Sequence, residues 1–257
     1  MASGQAAAAQ SGRSKDFYQA AAEKLIVALD VPTVDEAKTI VSALDGIVSF
    51  FKIGLHLQMA RGTESFIEDL QKANKRIFID YKYSDIPETV RGGIAGAAER
   101  KIDFLTVQGN GEITRTVLKA AMDGKRHGLP KILFVTLLTS LDQSDLDALG
   151  TRNSVEQIVR HRVNMALDVG LDGVIASGRE VGLIRKMASS QQLTIVTPGV
   201  RLEGAVVDDH KRPSTPGDAI RDGADYLVVG RPIIKADKPK NMAIVFRNQI
   251  ADALAAL

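Results

Sequence analysis

From Leu25 to the C-terminus, short apolar runs alternate with amphipathic stretches. The runs read as strands over Leu25–Asp30, Ile47–Gly54, Arg76–Ile79, Phe104–Gln108, Ile132–Leu138, Gly173–Ser177, Leu193–Thr197 and Asp225–Gly230. Apolar residues at helical spacing follow them. Ala37, Ile40, Val41 and Leu44 form the first set, Phe66, Ile67, Leu70 and Ala73 the second, and Ile113, Val117, Leu118 and Ala121 the set after the fourth strand. Val181, Leu183, Ile184 and Met187 mark a helix after the sixth strand, and Met242–Leu257 closes the chain. Helix starts are signalled by a Thr33/Glu36 capping box, by Ser154 with Gln157 after a long polar loop, and by Thr215-Pro216, which puts proline at a first helical position. Eight strand-then-helix units fit a single-domain α/β fold, the (β/α)₈ TIM barrel, over residues 22–257. No Gly-x-Gly-x-x-Gly follows the first strand, which argues against a dinucleotide-binding sheet.

Residues 1–21 stand apart from this pattern. Met1 to Lys15 is rich in Ala, Ser, Gly and Gln and reads as a flexible extension; Phe17, Tyr18 and the alanines after them start a short helix covering one end of the domain. The stretch lacks the apolar centre of a secretory leader, and Arg13 and Lys15 are too few for organelle targeting, so a cytoplasmic location is expected. Of the 257 residues, 45% are hydrophobic and 25% charged, enough for a well-buried core, and no apolar run reaches membrane-spanning length. The formal charge of +2 points away from nucleic acid. With no cysteine, thiolate nucleophiles and Cys-based metal sites are excluded, and His56, His127, His161 and His210 lie too far apart for paired ligand spacing.

The chemistry gathers at strand ends. In Ile79-Asp80-Tyr81-Lys82-Tyr83-Ser84-Asp85-Ile86-Pro87, the charges fall where the third strand gives way to a loop. Asp80 and Lys82, two apart, share a face of the strand. Two such charges alone read as a structural ion pair; Asp85 adds a third and makes a network whose protonation can be tuned for chemistry. At the C-terminal ends of the predicted strands stand Asp30, Lys52, Asp80, Lys82, Thr139, Arg201 and Arg231, on the face where such barrels carry their active sites. Pro198-Gly199-Val200-Arg201 and Val228-Val229-Gly230-Arg231-Pro232 follow the seventh and eighth strands, where glycine lets backbone N–H groups approach a phosphate and arginine offers a matching fork.

Asp80-x-Lys82-x-x-Asp85-Ile86-Pro87, with Ala28-Leu29-Asp30 before it and Thr197-Pro198-Gly199-Val200-Arg201 and Val229-Gly230-Arg231-Pro232-Ile233 after it, resembles the orotidine 5′-monophosphate decarboxylases in both order and spacing. The resemblance implies a metal-free, cofactor-free conversion of orotidine 5′-monophosphate to uridine 5′-monophosphate (UMP) and CO₂, the last step of de novo pyrimidine synthesis. It implies a homodimer in which Lys52, Asp80 and Lys82 of one subunit meet Asp85 of the other. Asp80 would face the substrate carboxylate, and Lys82 would stabilise and protonate a carbanion at C6. Asp30 and Lys52 would hold the ribose, with Thr89 and Asp85 reaching across the dimer. Thr139 would contact the pyrimidine, and Arg201, Gly230 and Arg231 the phosphate, with Arg201 to Pro213 as a lid.

Two positions depart from the pattern. His210 stands where most relatives carry a glutamine bridging phosphate and base, and Gln108 where bacterial relatives have histidine. Two other readings compete. A magnesium-dependent sugar-phosphate enzyme of the same suprafamily would carry an acidic residue at the position of Lys52, and a lysine there repels a divalent cation. A silent phosphonucleotide-binding barrel would not need the Asp80, Lys82 and Asp85 set.

Overall fold

The computed structural model describes residues 16–108, 114–189, 191–204, 212 and 214–257. Among them, eight parallel strands close into a barrel in sequence order, β1 beside β8. The strands are β1 Leu25–Ala28, β2 Phe50–Gly54, β3 Arg76–Tyr83, β4 Phe104–Val107, β5 Lys131–Val135, β6 Gly173–Ile175, β7 Thr194–Pro198 and β8 Tyr226–Val229. Outside them lie α1 (residues 16–24), α2 Val34–Ala43, α3 Leu55–Gln58, α4 Thr63–Lys72, α5 Pro87–Glu99, α6 Arg115–Gly124, α7 Gln143–Ala148, α8 Val155–Val169, α9 Val181–Met187, α10 Pro216–Arg221, α11 Arg231–Ile234 and α12 Pro239–Ala255. Among the described residues no helix is long and apolar enough to cross a membrane.

Strand alternation divides the core in two. Residues such as Val27, Phe51, Ile77, Ile79, Leu105 and Phe134 face the helices and build the larger apolar layer. The alternate positions, Ile26, Ala28, Phe50, Phe78, Phe104, Leu133, Val135, Ile175, Val196 and Val228, fill the barrel. At the N-terminal end of the strands, Phe50, Phe104 and Tyr226 pack edge to face with centroids 5.0–5.9 Å apart, and the Arg76 guanidinium sits 4.0 Å from the Phe50 ring. This end is closed by packed rings. Ala28, Lys52, Phe78 and Phe104 lie side by side in register across β1 to β4, so the next inward positions, Asp30, Gly54, Asp80 and Thr106, fall at the open end.

The helix caps follow the residue pattern, with instructive exceptions. Ser154 and Gln157 form the reciprocal box on α8, and Thr215 caps α10 ahead of Pro216. Thr33 caps α2, but the Glu36 carboxylate takes the Thr33 hydroxyl at 3.2 Å instead of completing the box. The polar loop after β5 contains a further helix, α7, opened by a box between Asp142 and Asp145. β2 begins at Phe50 and not Ile47, because the Ile47 and Val48 N–H groups are held by the Leu44 carbonyl at the end of α2. The helix expected from Phe17 and Tyr18 is present as α1, with Ala21 fully buried. Met1 to Lys15, Ile113 and His210 lie outside the described residues, as does most of the expected lid.

Candidate active site

Four strands deliver one line of alternating charge. Asp30, just past β1, accepts Lys52 Nζ of β2 at 3.2 Å; Lys52 Nζ lies 3.2 Å from Asp80 Oδ2 of β3; and Asp80 Oδ1 receives Lys82 Nζ at 3.0 Å. Thr106 of β4 donates its hydroxyl to the same Oδ1 at 3.0 Å. Gly54 leaves room for this line, since a Cβ there would come 2.9 Å from Lys52 Nζ. Lys52 is buried and Asp80 nearly so, which is expensive for isolated charges and acceptable only because each has partners of opposite sign.

β3 does not end before its charges, as the apolar run alone suggests; it runs on to Tyr83 through an irregularity. Pairing with β4 is regular to Ile79–Leu105, breaks, and resumes at Tyr83–Val107. Inside the break Lys82 takes φ of +54°, a left-handed conformation uncommon for a residue with a Cβ. This kink turns the Lys82 ammonium back onto Asp80.

Burial works to raise the Asp80 carboxyl, but the Lys52 and Lys82 ammonium groups outweigh it, and with the hydrogen bonds from Lys82 and Thr106 they hold it below the usual carboxylate range. For Lys52, burial works downward, and the Asp80 and Asp30 carboxylates outweigh it and lift the ammonium above the usual lysine range. The signs set a pH window. A depressed carboxyl adds stability above its unfolded value of about 4, lost as pH falls through the folded value; a raised ammonium adds stability below about 10.4, lost as pH rises through its own. Wild-type protein therefore melts above Asp80→Asn at pH 7, and the difference in Tm shrinks below about pH 4. A difference that stayed constant from pH 7 to pH 3 would contradict the depressed carboxyl.

The charges stand at one side of a cavity of about 620 Å³ at the C-terminal end of the barrel, a volume suited to a nucleotide-sized ligand. Asp30, Lys52, Asp80, Lys82, Thr139, Arg201, Gly230 and Arg231 all line it. Gly199 takes φ of +75° in the turn after β7, where a side chain would be strained. Arg201 behind it is buried and anchored through its backbone N–H to the Ser214 carbonyl at 3.0 Å. Arg231 opens α11 directly after Gly230. Asp85 and Thr89 do not line the cavity. Both are exposed, and the Asp85 carboxylate takes the Ile86 N–H at 2.7 Å.

Further residues shape the site. His56, Ser140 and Lys235 also line the cavity. Buried Arg212 pairs with Glu180 and donates to the Leu138 and Leu141 carbonyls at 3.1 and 3.0 Å, tying the loop that carries Thr139 to the segment after β7. Ser177 completes the knot by donating to the Arg212 carbonyl at 2.7 Å. Gln108 is buried just past β4, its backbone N–H bonded to the Tyr83 carbonyl at 3.1 Å. Thr106 was legible in principle, lying two residues past inward-facing Phe104.

Known proteins share this arrangement of sequence and fold. Residues 23–244 match the orotidine 5′-phosphate decarboxylase / HUMPS family. The orotidine 5′-phosphate decarboxylase of Nitrobacter winogradskyi is 48% identical over 234 residues, covering 91% of this chain and 95% of its own length. That of Methylococcus capsulatus is 44% identical over 236 residues, covering 91% and 95%. The crystal structure of orotidine 5′-phosphate decarboxylase from Lactobacillus acidophilus aligns with a TM-score of 0.74 at 31% identity, covering 88% of this chain and 98% of that one. The chain belongs to the orotidine 5′-phosphate decarboxylase / HUMPS family.

Proposed function

We propose that this chain decarboxylates orotidine 5′-monophosphate to UMP and CO₂, in de novo pyrimidine synthesis, without metal or cofactor. The observation that carries this reading is the unbroken line Asp30–Lys52–Asp80–Lys82 on one side of a cavity that also holds two arginines on the loops after β7 and β8. Arg201, Arg231 and the Gly230 backbone take the phosphate, Asp30 and Lys52 the ribose hydroxyls, and Thr139 the pyrimidine.

With the nucleotide so anchored, the C6 carboxylate lies against ionised Asp80. Like charges in a poorly solvated pocket disfavour the bound acid relative to the transition state, and the remote phosphate contacts supply the binding energy that offsets this. The bond from C6 to the carboxylate breaks, CO₂ leaves, and the electron pair stays on C6. Lys82 stabilises that pair and then transfers a proton from Nζ to C6, giving UMP and a neutral amine that solvent reprotonates. Binding alone gives no reason to bury an acid where the substrate presents its own carboxylate.

Asp85 and Thr89 serve the neighbouring subunit of a homodimer in the cytoplasm. Support for this comes from their exposure on the single chain, next to Ile86 at 66% exposed and on the same rim as Leu55 at 59% and Met59 at 89%, apolar side chains that a second subunit would cover. Adding the protein to orotidine 5′-monophosphate should remove the ultraviolet absorbance of the substrate, at an equal rate before and after treatment with EDTA. The Lys52 ammonium, placed between two carboxylates, already neutralises them and repels a divalent cation. Loss of activity with EDTA and its return with magnesium would overturn the metal-free reading.

A further inference from the structure

Thr106 has no part in the roles assigned above, yet it is the hinge on which two of them turn. It is fully buried in β4 and faces the barrel interior one inward step beyond Phe104. Its hydroxyl accepts the Lys82 backbone N–H at 3.0 Å and donates to Asp80 Oδ1 at 3.0 Å, the same oxygen that receives Lys82 Nζ. A hydroxyl has one proton to give. With the Lys82 N–H already pointing at the oxygen, that proton is committed to the carboxylate.

The position of this hydroxyl coincides with the gap in the β3–β4 ladder. Where pairing breaks between Ile79 and Tyr83, the Lys82 N–H loses its ordinary strand partner, and a buried N–H without one is costly. Thr106 supplies the replacement from a side chain, and Lys82 holds φ of +54° there. Persistent left-handed backbone at a residue with a Cβ needs surroundings that over-determine it.

We propose that Thr106 is a positioning residue for the decarboxylation: one hydroxyl fixes both the left-handed backbone of Lys82 and the orientation of the Asp80 carboxylate, and so sets the distance from proton donor to repelling acid. The catalytic part of this role rests on the decarboxylase reading; the geometric part does not. Thr106→Val keeps the branched shape and volume and removes the hydroxyl, while Thr106→Ser keeps the hydroxyl. The arginines on the loops after β7 and β8 lie across the barrel from β4, and Lys52 keeps its pairing with Asp30 whatever Thr106 does, so the loss falls on turnover and not on binding.

The test combines kinetics with crystal structures of the two variants. Thr106→Val should lower kcat by about 10- to 100-fold, the span of a lost hydrogen bond to a charged group, with KM and UMP affinity within about threefold of wild type. Thr106→Ser should return kcat to within about fivefold of wild type. In the Val crystal, Lys82 should leave φ near +54°, or its Nζ should move out of hydrogen-bond distance of Asp80. A folded Val variant with kcat within twofold of wild type overturns the proposal, as does a Ser variant no better than Val, a proportionate loss of UMP binding, or a Val crystal with the Lys82–Asp80 geometry unchanged. Wild-type protein that leaves orotidine 5′-monophosphate intact would instead sink the decarboxylase reading, and the crystals would still decide whether Thr106 positions Lys82.

Discussion

Lys82→Ala lowers turnover of orotidine 5′-monophosphate by about 10⁴-fold or more and leaves UMP binding measurable. The size follows from the two tasks of one ammonium group. A positioned general acid contributes about 10²- to 10⁴-fold, and a charge preorganised beside a developing anion about 10²- to 10³-fold. Lys52 cannot stand in, because its Nζ is held between Asp30 and Asp80, on the oxygen of Asp80 opposite the one that Lys82 contacts. UMP carries no C6 carboxylate, so its affinity depends on the phosphate, ribose and ring contacts that the substitution leaves in place. Single-turnover absorbance with titration of UMP separates the two quantities. Turnover within tenfold of wild type would remove Lys82 from the chemistry, and loss of UMP binding with intact folding would make it a binding residue.

Mixing Asp85→Ala with Lys82→Ala protein restores activity that neither has alone. In a mixed dimer, the site built on the Asp85→Ala chain has its own Lys82 and takes Asp85 from the Lys82→Ala chain, so it is whole; the other site lacks both. Random exchange of equal amounts makes half the dimers mixed, so about a quarter of wild-type activity is expected. The exposure of Asp85, and its place outside the cavity of its own chain, motivate the experiment. Subunit exchange followed by native mass spectrometry with no recovered activity would show that Asp85 acts within its own chain, or not at all.

The strand ends were readable because barrel interiors keep a period of two. Ile26 and Ala28 lead to Asp30, Phe50 to Lys52 and Phe78 to Asp80, so a charge following an inward apolar residue in phase is already placed at the rim. Lys82 resists this reading. Its phase agrees with Asp80, but its backbone leaves the strand conformation, and what holds it there is a threonine 24 positions away on the next strand. The Arg212–Glu180 knot is hidden for the same reason, since it joins residues 32 apart and takes carbonyls from a third loop. Helix α7 was lost in a polar stretch because its box is made of two aspartates, and only Leu146 of its six residues is buried. Local pattern announces what the chain does to itself, and these features depend on what distant strands do to each other.

The ring of Phe50, Phe104 and Tyr226 beneath the charges has an electrical meaning as well as a packing one. Water reaches Asp80 and Lys82 from the open end, while the layer beneath them is hydrocarbon and aromatic carbon, with the Arg76 guanidinium packed against its rings at the closed end. An insulator behind a row of charges keeps their field from being answered on that side and sends it out through the opening. The barrel floor thus acts as the backing of an electrode. Cutting those rings down to polar residues would blunt the site from a distance without touching a single group that meets the nucleotide.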